Sequence, residues 1–185
     1  MIKLLEKIVK EAYKADFISV ANKTSRTNGA SSRNSDGSIR SVVARYIMET
    51  ADKDESILDF GAGKDAVQTL ALRDAGFTNV TAYDFGTNLI DGVHEAGALS
   101  RSYYTVFASN VLNVSSDEAM LRETVMEIFA AVKHSGRCVF NYPASPRKSG
   151  LSAKQVAEII TEELGITPEK CAGTNSAPVW EIYKV

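Results

Sequence analysis

Cysteine is scarce in this chain, and the two present, Cys138 and Cys171, form no Cys-x-x-Cys pair. That excludes a disulfide framework or a thiolate metal knuckle, and both thiols read as small apolar fillers of a reduced, intracellular protein. Long apolar runs are also missing. No stretch approaches the roughly 18 residues needed to span a bilayer. The opening Met1–Lys7 lacks the uninterrupted apolar core of a signal peptide, so a cytoplasmic location and no membrane partner are expected. No charge dominates: 21 basic against 23 acidic residues leave a net charge of −2, which rules out polyanion binding by bulk electrostatics. Histidine is limited to His94 and His134, far apart and without a metal-ligand partner at helical spacing, so no metal site is expected. There is no internal repeat and no second core, and 185 residues suffice for one hydrophobic core.

Along the chain, residues 2–21 carry Ile2, Leu5, Ile8, Val9, Ala12 and Tyr13 on one helical face. Residues 22–38 contain almost nothing apolar and read as a loop, locally basic through Lys23, Arg26 and Arg33. The loop is either a solvated linker or a lid that orders over a ligand. Helical periodicity resumes over 38–51, with Ser38 as the expected N-cap. Strands are then expected at 56–60, 79–84, 104–109, 137–141 and 179–185, and helices at 65–75, 116–133 and 152–164. Gly76 is placed to close the first of these helices. Residues 86–100 fit neither period. Strands separated by helices of this length predict an α/β, Rossmann-like, doubly wound, mainly parallel sheet over 39–185. The alternation of Trp180 and Ile182 makes the C-terminal strand an antiparallel edge strand. Residues 1–38 form an N-terminal helix and basic loop outside this domain.

The strand–turn–helix segment from Ser56 to Asp65 carries the chemistry. Such sheets bind ligands beyond the C-terminal ends of their strands, where strand order reverses. Gly61 and Gly63 let the backbone approach a ligand without an intervening Cβ. Asp59 can accept a hydrogen bond from the ligand or hold the turn. Asp84 ends the next strand, where a carboxylate can grip both hydroxyls of a ribose. A nicotinamide fingerprint needs a third glycine where Ala66 stands, and Gly63-Lys64-Asp65 does not complete a P-loop. A nucleotide-binding oxidoreductase is therefore the least favoured reading.

Asp59-x-Gly61-x-Gly63 with Asp84, followed by Ser109-Asn110-Val111-Leu112-Asn113-Val114, resembles the cofactor site of class I S-adenosylmethionine-dependent methyltransferases over residues 40–145. The resemblance implies S-adenosylmethionine as cofactor, held by Asp59, Phe60, Gly61, Ala62, Gly63, Lys64, Asp84, Phe85, Asn110 and Val111. Asn110 would face the reactive methyl. The chain departs from the family between Asp84 and Tyr103, where a strand and helix are usual and the segment is short; Asp91 is the candidate left for adenine. The segments Lys23-Thr24-Ser25-Arg26, Asp59–Asp65 and Val111–Val114 are also similar to small methyltransferase-like proteins of DNA phosphorothioation loci, implying a phage or defence context.

The segment Asn141–Lys148 follows a predicted strand and is stiffened by two prolines. It is either a rigid turn with a basic tip or a substrate platform, with Tyr142 stacking and Arg147 and Lys148 contacting phosphate or carboxylate. On the second reading Tyr142 joins Asn110 as a catalytic candidate, and Lys23, Arg26, Arg33, Arg147 and Lys148 bind substrate. The acceptor is a small molecule or nucleic acid. Methyl transfer needs chiefly in-line positioning, so the lack of an evident base does not count against it. The alternative keeps the pocket without the transfer: a sensor, a sequestering agent, or a partner subunit, with homo-oligomers also admitted.

Overall fold

The computed structural model describes residues 39–185 together with Glu11 and Ala15. The predicted helix 2–21, the basic loop 22–38 and the Ser38 cap lie outside the described residues. The elements are α1 (Val42–Thr50), β1 (Ile57–Phe60), α2 (Val67–Asp74), β2 (Val80–Tyr83), β3 (Tyr103–Ala108), α3 (Glu118–Ala130), β4 (Val132–Asn141), α4 (Ala153–Leu164), β5 (Glu169–Gly173) and β6 (Pro178–Tyr183). The first helix starts later than expected, because Ser41 caps it by accepting from the Ala44 N–H at 3.2 Å. Ser152 and Gln155 form a capping box on α4, and left-handed Gly165 closes it.

The six strands run in the order β2-β1-β3-β4-β6-β5. The first four are parallel; β6 is antiparallel to β4, and β5 to β6. The sheet is the mainly parallel one expected, with its antiparallel C-terminal strand. That strand is not the outermost, however: β5, unforeseen in the sequence, lies outside it.

Alternation along the strands splits the core between two faces. Leu58, Phe60, Val106, Ala108, Cys138, Phe140, Trp180 and Ile182 meet Leu121, Val125 and Ile128 of α3 and Val156, Ile159 and Ile160 of α4. Ile57, Val80, Phe107, Val139 and Val179 meet Val43 and Ile47 of α1 and Leu72 of α2. No strand forms between β2 and β3. Residues Gly86–Asn88 and Ala98–Ser100 make short 3-10 turns instead. The carbonyls of β2 that no strand receives are taken locally: Arg73 donates to Val80 O at 2.7 Å, and the Glu95 N–H to Ala82 O at 2.9 Å. β2 is thus the sheet border where the resemblance implies a further strand.

Candidate functional site

The strand order reverses between β1 and β3, so the loops after these strands define the crevice. After β1, the N–H groups of Gly61 and Ala62 both donate to Tyr83 O, each at 2.9 Å, tying the turn to the end of β2. Gly61 has φ +75°, and a Cβ there would lie 2.6 Å from Val111 Cγ2. The loop after β3 therefore approaches too closely for any side chain. Gly63 (φ +73°) is the opposite case: a Cβ would meet nothing within 4 Å. Where a dinucleotide fingerprint has its third glycine, Ala66 occupies the left-handed region at φ +43° and is buried.

The turn is held from its far side. Gly63 N–H donates to Asp84 Oδ2 at 2.5 Å, and His94 Nε2 meets Gly63 O at 2.9 Å. His94 Nδ1 accepts from the Ile90 N–H, which fixes the tautomer with the proton on Nε2. Both ring nitrogens of this buried histidine are committed, and it serves as a strut.

Asp59 and Asp84 are both buried here. Asp59 Oδ2 accepts from the Thr69 hydroxyl at 2.8 Å, while Oδ1 has no partner. Burial pushes the Asp59 pKa up to about 7; the Thr69 bond opposes this and the nearby Asp84 charge adds to it. Asp84 Oδ1 accepts from the Phe85 N–H at 2.6 Å and from Asn88 Nδ2 at 3.2 Å. With Gly63 on Oδ2, three of the roughly four acceptor positions of this carboxylate are filled. The expected two-handed grip on a diol is therefore reduced to a single free position.

Beyond β3, Ser109 Oγ pairs with Ser41 Oγ at 2.9 Å, joining the β3 end to the start of α1. Asn110 follows in the left-handed region (φ +61°) and is exposed. It is joined twice to Asn141 at the end of β4: Asn110 N–H to Asn141 Oδ1 at 2.6 Å, and Asn141 Nδ2 to Asn110 Oδ1 at 2.9 Å.

Tyr142 and Arg147 correct the expectation of a substrate platform. Tyr142 is fully buried, its hydroxyl donating to Leu151 O at 2.9 Å. Its ring stacks with Trp180 at 6.5 Å, and the Arg147 guanidinium sits 4.5 Å from its centroid. No ring face remains for a substrate. Arg147 itself donates to the carbonyls of Pro143, Tyr142 and Ser176, so it braces the loop rather than offering a free cation. Lys148 is exposed on that loop.

The structure thus brings Asp59, Gly61, Ala62, Gly63, Asp84 and Val111 together around one turn, with exposed Lys64 on it and Asn110 beside it. The side chains of Phe60 and Phe85 lie in an aromatic cluster with Tyr83, and the backbone of Phe85 is already engaged, its N–H on Asp84 Oδ1 and its carbonyl accepting from the Asn88 N–H. Asp91 is exposed on the 86–100 segment. Lys23, Arg26 and Arg33 lie outside the described residues. Thr69, Asn88, His94 and Asn141 were not foreseen. Thr69 lies on the inward side of the helix after Asp59, a position periodicity could have flagged; the irregular segment holding His94 gave no such signal. Among the described residues no His, Cys, Asp and Glu cluster could hold a metal ion, and no helix is long and apolar enough to cross a membrane.

No family model matches the chain, and no curated protein sequence matches it. Solved structures do share its fold. A TehB-like SAM-dependent methyltransferase from Corynebacterium glutamicum superposes with a TM-score of 0.61 at 17% identity, covering 89% of this chain and 97% of that one. A SAM-dependent methyltransferase from Bacteroides fragilis, in complex with S-adenosyl-L-homocysteine, gives 0.58 at 13%, with 78% of each chain covered. The N-methyltransferase NodS from Bradyrhizobium japonicum, also with S-adenosyl-l-homocysteine, gives 0.54 at 16%, covering 75% of this chain and 83% of that one. The chain has the Rossmann-like fold of these methyltransferases.

Proposed function

We propose that the chain binds S-adenosylmethionine on the turn between β1 and α2 and is a methyltransferase. One observation carries the reading. Asp59, buried on the strand that leads into the glycine turn, keeps one carboxylate oxygen without a donor. Such an oxygen is costly unless a ligand supplies the missing hydrogen bond. The ammonium and hydroxyl groups of S-adenosylmethionine are donors of the right kind, so the residues present fit the cofactor. Asp59 and the backbone of Gly61, Ala62 and Gly63 would hold it, with the apolar Val111 and Phe85 alongside and Asp84 accepting one ribose hydroxyl. The cofactor supplies an electrophilic methyl group on a sulfonium. The chain's part is to place an acceptor over the ends of β3 and β4, where Asn110, Asn141 and Lys148 stand.

Calorimetry with S-adenosylmethionine, S-adenosylhomocysteine and NAD tests the cofactor. The first two bind and NAD does not; NAD binding alone sinks the reading. Asp84 adds a sharper test. With a single free acceptor position, analogues lacking either the 2′- or the 3′-hydroxyl bind within about threefold of the parent, because the remaining hydroxyl takes that position, whereas losing both costs about tenfold or more. A full loss from one deletion would show that Asp84 rearranges to grip both.

The non-catalytic reading, a sensor, sequestering agent or partner subunit, is favoured by the burial of Tyr142 and the internal engagement of Arg147, which leave few groups for an acceptor. Methyl release from labelled cofactor, with and without DNA, RNA or small-molecule extracts, separates the two. The nucleic-acid and defence context is supported by the Lys23–Arg26 and Val111–Val114 resemblances. Methyl incorporation into DNA is its expected sign, and incorporation into small molecules alone refutes it.

A further inference from the structure

The amide side chains at the ends of β3 and β4 fix each other's orientation, and this determines what they can receive. The backbone N–H of Asn110 faces one end of the Asn141 amide at 2.6 Å. A backbone N–H can only donate, so that end is oxygen. The other end of Asn141 is then Nδ2, and the Asn110 atom facing it at 2.9 Å is Oδ1. By elimination, Asn110 presents Nδ2 with both N–H groups unpartnered among the described residues. Asn141 Nδ2 has one N–H to spare. The pair therefore offers three free donors while each of its oxygens already accepts one bond. Both chain neighbours of Asn110 are anchored, Ser109 on Ser41 and Val111 against Gly61, so these donors project from a fixed point beside the glycine turn.

Resting on the methyltransferase reading above, we infer that this pair selects an anionic oxygen, carboxylate or phenolate, as the atom to be methylated, which sets it against the DNA acceptor because DNA carries neither group. Asn110 touches it, and Asn141 is the positioning residue. An ionised oxygen can accept from Asn110 and still direct a lone pair at the methyl carbon. A neutral amine has one lone pair, which the methyl needs, and would set its own N–H groups against those of Asn110. The oxygen lone pair forms the new O–C bond as the methyl–sulfur bond breaks, and that bond's electrons return to sulfur to leave a neutral thioether. The oxygen carries no proton, so no base is required, in keeping with a site whose histidine is locked into the turn.

Nitrogen-15 spectra resolve side-chain amide groups, and Asn110→Ala identifies the Asn110 pair. The protein, loaded with S-adenosylhomocysteine, is titrated at neutral pH with benzoate and separately with aniline, an amine that is uncharged there. The Asn110 signals respond to benzoate with an apparent Kd about tenfold or more below that for aniline, the discrimination one charge-assisted hydrogen bond supplies. In Asn141→Asp the new carboxylate still accepts from the Asn110 N–H but now turns an oxygen to the Asn110 side chain. That pulls Asn110 Nδ2 inward, exposes Oδ1, and reverses the preference. Equal response to both probes, no response at Asn110, or an unchanged preference in folded Asn141→Asp overturns the inference. The Gly61 and Gly63 amides report S-adenosylhomocysteine in the same spectra. If they stay still, the cofactor reading fails, and the benzoate titration repeated without cofactor still decides the question at Asn110.

Discussion

Asp59 ties stability to pH in a direction unusual for a carboxylate. Its pKa is raised to about 7 in the fold, chiefly by burial. Well below its ordinary value of 3.8 the group is neutral in both folded and unfolded chains. Between pH 4 and 7 the unfolded chain ionises while the folded one keeps its proton, so stability falls as pH rises and the full penalty stands above pH 7. Wild type should lose about 4 kcal/mol relative to Asp59→Asn between pH 4 and pH 8. Urea titrations at the two pH values measure it, and parallel pH dependence of the two proteins would refute it. The two turn glycines separate stability from binding. Gly61→Ala meets Val111 Cγ2 as well as left-handed strain, for a loss of about 2–4 kcal/mol. Gly63→Ala meets open space and carries only the strain, about 1–2 kcal/mol, yet its methyl enters the proposed ligand position. Chemical denaturation and calorimetry on both variants should show Gly63→Ala as the better-folded protein that has still lost cofactor binding.

At the scale of elements, α1 is tied to the sheet by polar as well as apolar contacts. Tyr46 donates to Glu181 of β6 at 3.1 Å, and Thr50 accepts from Arg137 of β4 at 3.2 Å. Arg137 and Glu181, both buried, pair at 2.7 Å, and Thr105 of β3 accepts from Arg137 Nε at 3.0 Å. Arg137 also lies 3.9 Å from the carboxylate of Glu55, so Glu181→Ala leaves the guanidinium one carboxylate partner and should cost about 2–4 kcal/mol, whereas replacing all three, Arg137→Met with Glu181→Leu and Glu55→Gln, should be near neutral. Denaturation midpoints decide, and equal losses in both would show that the pair is itself stabilising. This network was illegible in the sequence because its members lie up to 135 positions apart, from Tyr46 to Glu181. The strands on either side of the glycine turn were legible because their apolar runs are short and bounded by turn residues. β5 was not: Glu169-Lys170-Cys171-Ala172-Gly173 carries two charges and a glycine, the composition of a protected edge. The turn itself was legible, since Gly61, Gly63, Asp59 and Asp84 follow from backbone requirements at strand ends. Tyr142 was misread because a strand end does not show which way the next residue points. Arg147 was misread because its carbonyl partner at Ser176 lies on a distant turn.

The described residues form one sheet clad on both faces, with the proposed site where β1, β3 and β4 end. Its two borders are unlike. At β2, Arg73 and the Glu95 amide occupy the outward carbonyls of Val80 and Ala82, so the shortened 86–100 segment acts as a plug where another strand would sit. Association between copies by strand pairing consequently has a direction. Among the described residues an incoming strand finds neither of those acceptors at β2, so edge-to-edge pairing is left to β5, on the border opposite the glycine turn, where two charges and a terminal glycine oppose it.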